Sequence, residues 1–340
     1  MRTLVLDRPG SLRLTDTPPP GRPCPGMALV RVLRVGVCGT DIHAWHGRQP
    51  YFTYPRILGH ELAVEVVDAG EGVSNVIAGD RCAVEPYLSC GTCRPCRIGR
   101  GNCCERMQVL GVHLDGGLRE RLEVPATKLH PSGSLHPESL ALVEMLSIGA
   151  HAVARARPSD RDAVLVIGAG PIGLGVAACA AASGAAVSMA DVSPSRLAFC
   201  RDHAGFRSVI DVSAGAEDAV RAAHGGELPT IVFDATGSPE SMRSAFRLIA
   251  NAGTLVLVGL VLGELSFEDP DFHRRETTLL ASRNALPEDF RRVMQSLETG
   301  RIDVRRWITH RAGIEDGVDA FAAWTQPASG VVKAMVEVGS

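Results

Sequence analysis

The sequence predicts an α/β protein in which a doubly wound parallel sheet is joined to a mostly β, barrel-like unit. The first observation is a change of pattern along the 340 residues. Up to about Ala126 the chain shows short β-rich runs, such as residues 28–35 and 61–67, broken by Pro and Gly clusters. From about Leu146 to Asn284, apolar runs at residues 163–167, 186–190, 230–233 and 254–258 alternate with Ala-rich helical stretches, as a parallel sheet with crossover helices requires. The second observation is a glycine-rich turn between the run at 163–167 and a helix. The third is a dense cysteine run in the β-rich part.

The elements follow in order. A hydrophobic content of 45% can fill two cores, and the length favours two domains. The divisions are residues 1–145 with a cysteine lobe at 88–105, residues 146–285, and residues 286–340. The last segment reads as a helix, an extended stretch at 307–310, a second helix and a strand at 331–338, a tail able to return and complete the first domain. The apolar tract around residues 163–190 is interrupted by Gly168, Gly170, Pro171, Gly173 and Gly184, so a transmembrane segment is not expected. Formal net charge is −3, and the basic pairs Arg291-Arg292 and Arg305-Arg306 stand beside acidic residues, which excludes a nucleic-acid or anionic-membrane surface and leaves these pairs as solvated helix faces. Met1-Arg-Thr-Leu opens without a secretory pattern, so the ten cysteines are expected to serve as thiols and metal ligands in a cytoplasmic, soluble enzyme.

Cys90, Cys93, Cys96 and Cys104 have C-x2-C-x2-C-x7-C spacing, able to close a tetrahedron around one zinc ion. A ferredoxin run would carry its fourth cysteine after three residues and then a proline, which this chain lacks. Cys103 is an odd neighbour able to shift the ligand register.

Gly168-Ala-Gly170-Pro171-Ile172-Gly173 is a GxGxxG turn. Alone it is a weak signal, but it follows the strand at 163–167 and opens a small-residue helix. Gly168 and Gly170 allow the backbone to approach a pyrophosphate, Gly173 allows close helix–strand packing, and the helix N-terminus supplies amide donors. Asp191 ends the next strand, where a carboxylate binds the adenosine ribose hydroxyls and repels a 2′-phosphate, favouring NAD over NADP. Arg196 either softens that preference, lies against the adenine or is a solvated helix residue. Gly237 and Gly259 fall at the ends of later strands, where such sheets present cofactor contacts.

The chemistry is expected in Gly36-Val-Cys38-Gly-Thr40-Asp41-Ile-His43 and Gly59-His60-Glu61. Taken singly, Cys38 reads as a small buried hydrophobe and His60 as a structural histidine. Taken with the cysteine run and the dinucleotide fingerprint, they read as ligands of a catalytic zinc with an open position.

These pieces together, in this order, resemble the zinc-containing medium-chain alcohol/polyol dehydrogenases over essentially the whole chain. The resemblance implies a GroES-like catalytic domain in two segments flanking a Rossmann NAD-binding domain. It also implies a structural zinc at Cys90, Cys93, Cys96 and Cys104, a catalytic zinc at Cys38 and His60, and a proton relay through Thr40 and His43. Glu144, in Leu142-Val-Glu-Met-Leu-Ser-Ile-Gly149, stands where the long-studied members place a second catalytic cysteine, which is similar to the sorbitol, threonine and sugar-acid dehydrogenase branch. Glu61 and Glu144 then compete for the remaining metal position, with Glu61 also able to support the site through Lys333.

The expected reaction is oxidation of a secondary alcohol to a ketone by hydride transfer to NAD. Aromatic content of only 4% and polar residues in the pocket loops favour a small polyol or sugar-acid substrate over an aliphatic alcohol. Stretches around His113 and Arg283 also look like sugar-acid 5-dehydrogenases acting on L-galactonate or L-gulonate, with L-threonine or another alcohol as the alternative. Arg283 is expected to pair with a substrate carboxylate, contact the cofactor pyrophosphate or bridge to Glu144. A non-catalytic zinc-lobe interaction protein would need none of Cys38, Thr40, His43 and His60. The resemblance further implies a homo-oligomer, dimer or tetramer.

Overall fold

A computed structural model describes residues 1–339, apart from the side chain of Pro327. The chain separates into two compact units, Met1–Glu144 with Leu286–Ser340, and Met145–Ala285.

Among the described residues, the main sheet of the first unit has seven strands. Its path runs Ile308–Gly313, Lys333–Glu337, Met27–Val37, Glu61–Ala69, Arg81–Val84 and Leu129–Pro131, with Arg121–Pro125 also paired to Met27–Val37. The pairs are antiparallel except the first, which is parallel. Met27–Val37 is buried along most of its length because it has neighbours on both edges and a core beneath. That core gathers Leu4, Leu6, Val32, Val35, Leu58, Val64, Leu122 and Val336, each almost fully buried. Each such aliphatic side chain contributes about 1.5–3 kcal/mol over its exposed state.

Register in this sheet positions the chemistry. Gly36 pairs with Glu61, and Val37 pairs with Ala334. The residues that follow or precede these pairs, Cys38, His60 and Lys333, therefore meet at one end of the sheet. The pairing of Met27–Val37 with Glu61–Ala69 carries register shifts between Leu29 and Val30 and between Val32 and Arg34.

The second unit holds a six-stranded sheet among the described residues, in the order Val209–Asp211, Ala186–Asp191, Ala163–Ile167, Ile231–Asp234, Thr254–Leu257, Thr278–Ala281. All pairs are parallel. Strand order reverses beside Ala163–Ile167, which makes its C-terminal end the switch point where such sheets bind ligands. The helix Pro171–Ala182 packs there because it is built of small residues. The helix Val143–Ala156 approaches it closely: a Cβ on Gly149 would lie 2.5 Å from the carbonyl carbon of Gly175.

Two short strands of this sheet, Val209–Asp211 and Thr278–Ala281, have no counterpart in the sequence pattern given above. Arg291, Arg292, Arg305 and Arg306 are all exposed. Among the described residues, no helix is long and apolar enough to cross a membrane.

Candidate metal centres and dinucleotide site

In the first unit two groups of side chains are disposed to hold a metal ion. The sulfurs of Cys90, Cys93, Cys96 and Cys104 lie within 4.8 Å of one another. Cys93 Sγ is 3.4 Å from Cys96 Sγ and 3.8 Å from Cys104 Sγ. Tetrahedral zinc–sulfur bonds of about 2.3 Å separate the sulfurs by about 3.8 Å, so these thiols fit the ion. Backbone N–H groups of Cys93 and Cys90 donate to Cys90 Sγ and Cys104 Sγ at 3.4 and 3.2 Å, preparing the sulfurs to carry charge. With Thr92 and Cys93 donating to it, the Cys90 thiol is lowered to about 5, whereas burial and its sulfur neighbours push Cys96 up to about 12. Cys103 is exposed and outside the group, which leaves Cys104 as the fourth donor.

The second group is Cys38, His60 and Glu61, whose donor atoms also lie within 4.8 Å of one another. Cys38 caps the helix Gly39–Trp45, its N–H donating to Asp41 Oδ2 at 2.9 Å. The other oxygen, Asp41 Oδ1, stands 3.8 Å from His60 Nδ1. Neither of those two atoms, nor Glu61 Oε1, has a hydrogen-bond partner among the described residues. Glu61 is fully buried and ion-paired to Lys333, which is 1% exposed and also donates to Val37 O at 3.0 Å.

Glu144 is buried beside this group but not within it, and its Oε1 accepts from the Tyr87 hydroxyl. Burial raises the pKa of Glu144 and of Asp41. Burial opposes a charge on His60, yet Asp41 and Cys38 outweigh it and raise its pKa well above the ordinary value. Lys333 is the one lysine among these anionic donors, so a divalent cation is the group their charge and softness call for. Thiolate, imidazole and carboxylate suit zinc. Asp41 Oδ1 thus stands on the side of the His60 ring from which a carboxylate could orient a ligating histidine. Sequence reasoning gave Asp41 no role, although its position three residues after Cys38 is a capping signal, and it missed Tyr87 altogether.

Thr40 is half-buried and His43 exposed, one turn apart on the helix Gly39–Trp45 and therefore on one face. Partial burial, with Arg48 and His46 nearby, lowers the pKa of His43. His113 is half-buried, its Nδ1 accepting from Val109 N–H at 3.2 Å and its ring stacked on Tyr51.

In the second unit, Gly168, Ala169, Gly170 and the start of the helix Pro171–Ala182, including Ile172, form the turn after the switch-point strand. Gly168 has φ +102°, and a Cβ on Gly173 would lie 1.8 Å from Gly168 O, so only glycine allows this turn to close on its helix. Asp191 Oδ2 accepts from Ala169 N–H at 2.7 Å and its Oδ1 from Ser193 N–H at 2.8 Å, tying the carboxylate to the turn. Arg196 lies one helical turn beyond; burial lowers its pKa, and Asp191 opposes this. Gly237 and Gly259 abut: a Cβ on Gly259 would lie 2.5 Å from Gly237 N. Arg283 is exposed just after the strand Thr278–Ala281.

Comparison with known proteins agrees with this geometry. The alcohol dehydrogenase GroES-like domain family matches residues 24–134, and the zinc-binding dehydrogenase family matches residues 171–299. The chain belongs to the zinc-containing medium-chain alcohol/polyol dehydrogenases, with a GroES-like and a Rossmann-type fold. It is an oxidoreductase of that class, a zinc-containing dehydrogenase acting on small molecules. Among curated proteins it is 46% identical to L-galactonate-5-dehydrogenase of Escherichia coli K12, over 92% of this chain and 91% of that one. An alcohol dehydrogenase of Escherichia coli CFT073 solved with NADH is 30% identical, with a TM-score of 0.92 over 99% of both chains. A zinc-binding dehydrogenase of Sinorhizobium meliloti 1021 bound to NADP is also 30% identical, with a TM-score of 0.91 over 99% of both.

Proposed function

We propose that this enzyme oxidises the C5 hydroxyl of a hexonate such as L-galactonate or L-gulonate to a ketone, with NAD as acceptor. The observation that carries the substrate is the 46% identity to an L-galactonate-5-dehydrogenase along nine-tenths of both chains. The polar character of His113 and Arg283 is in keeping with it. Each is assigned to substrate: His113 to a hydroxyl and Arg283 to the carboxylate.

Cys38, His60 and Glu61 are the proposed holders of the catalytic zinc, supported by their buried, converging donor atoms. Cys90, Cys93, Cys96 and Cys104 hold the structural one, which their four thiolates close off from substrate. Held by Cys38, His60 and Glu61, zinc would supply the Lewis acidity that brings an alcohol pKa toward neutrality, and NAD would supply the hydride acceptor. Asp41 orients the His60 ring. Thr40 would take the alcohol proton while passing its own hydroxyl proton on by way of the cofactor ribose, and His43, on the same helix face, would carry it toward water. Residues 1–145 and 286–340 form the catalytic domain, and 146–285, through Gly168, Gly170, Pro171, Ile172, Gly173, Asp191, Arg196, Gly237 and Gly259, the NAD domain. Asp191 is assigned to the adenosine ribose, which favours NAD over NADP.

A cytoplasmic location is proposed from the use of cysteines as zinc ligands. A homo-oligomer, dimer or tetramer, is supported by the strand Thr278–Ala281, which ends the sheet with Leu279 exposed.

The reading is tested by assaying the purified enzyme on L-galactonate, L-gulonate, polyols and L-threonine, each with NAD and NADP. The expected result is the highest kcat/KM for a hexonate with NAD, lowered by R283A mainly through KM. Faster turnover of L-threonine than of every hexonate would overturn the substrate, and a preference for NADP the role of Asp191.

A further inference from the structure

We propose that Asp234 is a positioning residue for the dinucleotide, its side chain holding the loop at 235–237 in the form that receives the cofactor before the cofactor binds. The proposal rests on the reading that Gly168, Gly237 and Gly259 line the NAD site of the second unit.

Asp234 ends the strand Ile231–Asp234 and is fully buried. A carboxyl group so placed needs donors for its oxygens. They come from the chain that follows: Oδ1 accepts from Thr236 N–H at 2.9 Å and from the Thr236 hydroxyl at 2.7 Å, and Oδ2 accepts from the Ser241 hydroxyl at 2.6 Å. The Thr236 hydroxyl in turn accepts from Ser238 N–H at 3.0 Å. One side chain thus closes the connection between its own strand and the helix Pro239–Ala245. Its main chain ties the next loop as well, since Asp234 O accepts from Val258 N–H at 2.9 Å and from Gly259 N–H at 3.1 Å.

The loop so held lies against both of its neighbours at this edge of the sheet. A Cβ on Gly168 would come within 3.1 Å of Thr236 Cγ2 and 3.2 Å of Thr236 N, and one on Gly237 within 3.3 Å of Leu260 O. The backbone at 235–237 is therefore set between the glycine turn at 168–173 and the loop at 258–260, and a shift in it disturbs both surfaces assigned to the cofactor. Thr236 is exposed, so its conformation is held by these hydrogen bonds and not by burial. A loop ordered in advance spares the ligand the cost of ordering it, so the tie acts on cofactor affinity and not on the hydride step.

The test measures the Kd of NADH, from the change in its fluorescence on binding, for the zinc-loaded wild type, D234A, D234N, T236V and D191A. Thermal midpoints without cofactor and kcat at saturating NAD are recorded alongside. D234A is expected to raise the Kd about tenfold without lowering kcat, the effect of losing the hydrogen bonds that order the loop. D234N keeps an acceptor at Oδ1 and can donate its amide to Ser241, so its Kd should stay within about twofold of wild type. T236V loses the hydroxyl but keeps the N–H, and it changes an exposed side chain, so it reads the same tie if D234A fails to fold. Its Kd should rise about threefold. Wild-type affinity in D234A or T236V, even with a lowered midpoint, or a D234N as weak as D234A, overturns the proposal alone. A D191A variant that binds NADH as tightly as wild type overturns the reading of this edge as the cofactor site, and the proposal with it.

Discussion

Asp41 serves two neighbours with one carboxylate: Oδ2 caps the helix that starts at Cys38, and Oδ1 faces His60. Asn at this position keeps an acceptor for the cap but removes the charge opposite the imidazole. D41N is therefore expected to fold normally and to lower affinity for the catalytic zinc by about 10–100-fold, read by chelator competition. His43 gives a pH prediction. Its pKa is lowered by partial burial and by Arg48 and His46, and alcohol oxidation needs the neutral ring. The acid limb of kcat/KM should thus have its midpoint below the ordinary histidine value of 6.5. H43Q should cost roughly a hundredfold in rate and remove that limb from the profile. At this scale the convergence of Cys38, His60 and Glu61 was legible, because they sit in short motifs. That Glu61 would lie within that group and Glu144 outside it was not, since their placing involves Lys333 and Tyr87, which are distant in sequence and brought in by strand register and ring packing.

Among elements, the approach of the helix Val143–Ala156 to the helix Pro171–Ala182 depends on Gly149 lying against the backbone of Gly175. A methyl group there meets main-chain atoms that cannot rotate away. G149A is expected to destabilise the protein by about 1–3 kcal/mol, measured by denaturant unfolding. Unchanged stability would show that the helices can separate without cost. The strand Ala163–Ile167 and the strands at 186–191, 231–234 and 254–257 were legible because each is an apolar run bounded by glycine, aspartate or threonine. Val209–Asp211 has three residues, too few for periodicity to register. Thr278–Ala281 has four residues, likewise too few for periodicity to register.

At the scale of the whole molecule, the two proposed metal sites predict two zinc ions per chain by elemental analysis. C96S should retain one, with a lower thermal midpoint, because a closed four-thiolate site contributes to folding of its lobe. C38S should also retain one, with little change in midpoint and loss of dehydrogenase activity. Loss of both ions from either variant would mean that the sites are not independent. The fold class was legible from the change in strand pattern and from two glycine and cysteine motifs, because each of those signals is local.

The sheet that carries Cys38, His60 and Glu61 is completed by a strand, Lys333–Glu337, that lies beyond the whole of the second unit in the chain. Residues Met145–Ala285, by contrast, are one continuous stretch that can fold as soon as it has emerged. A growing chain thus has its cysteine, histidine and glutamate donors long before it has the lysine that balances them. The Glu61–Lys333 pair thus ties together two segments of one sheet that the whole of the second unit separates along the chain.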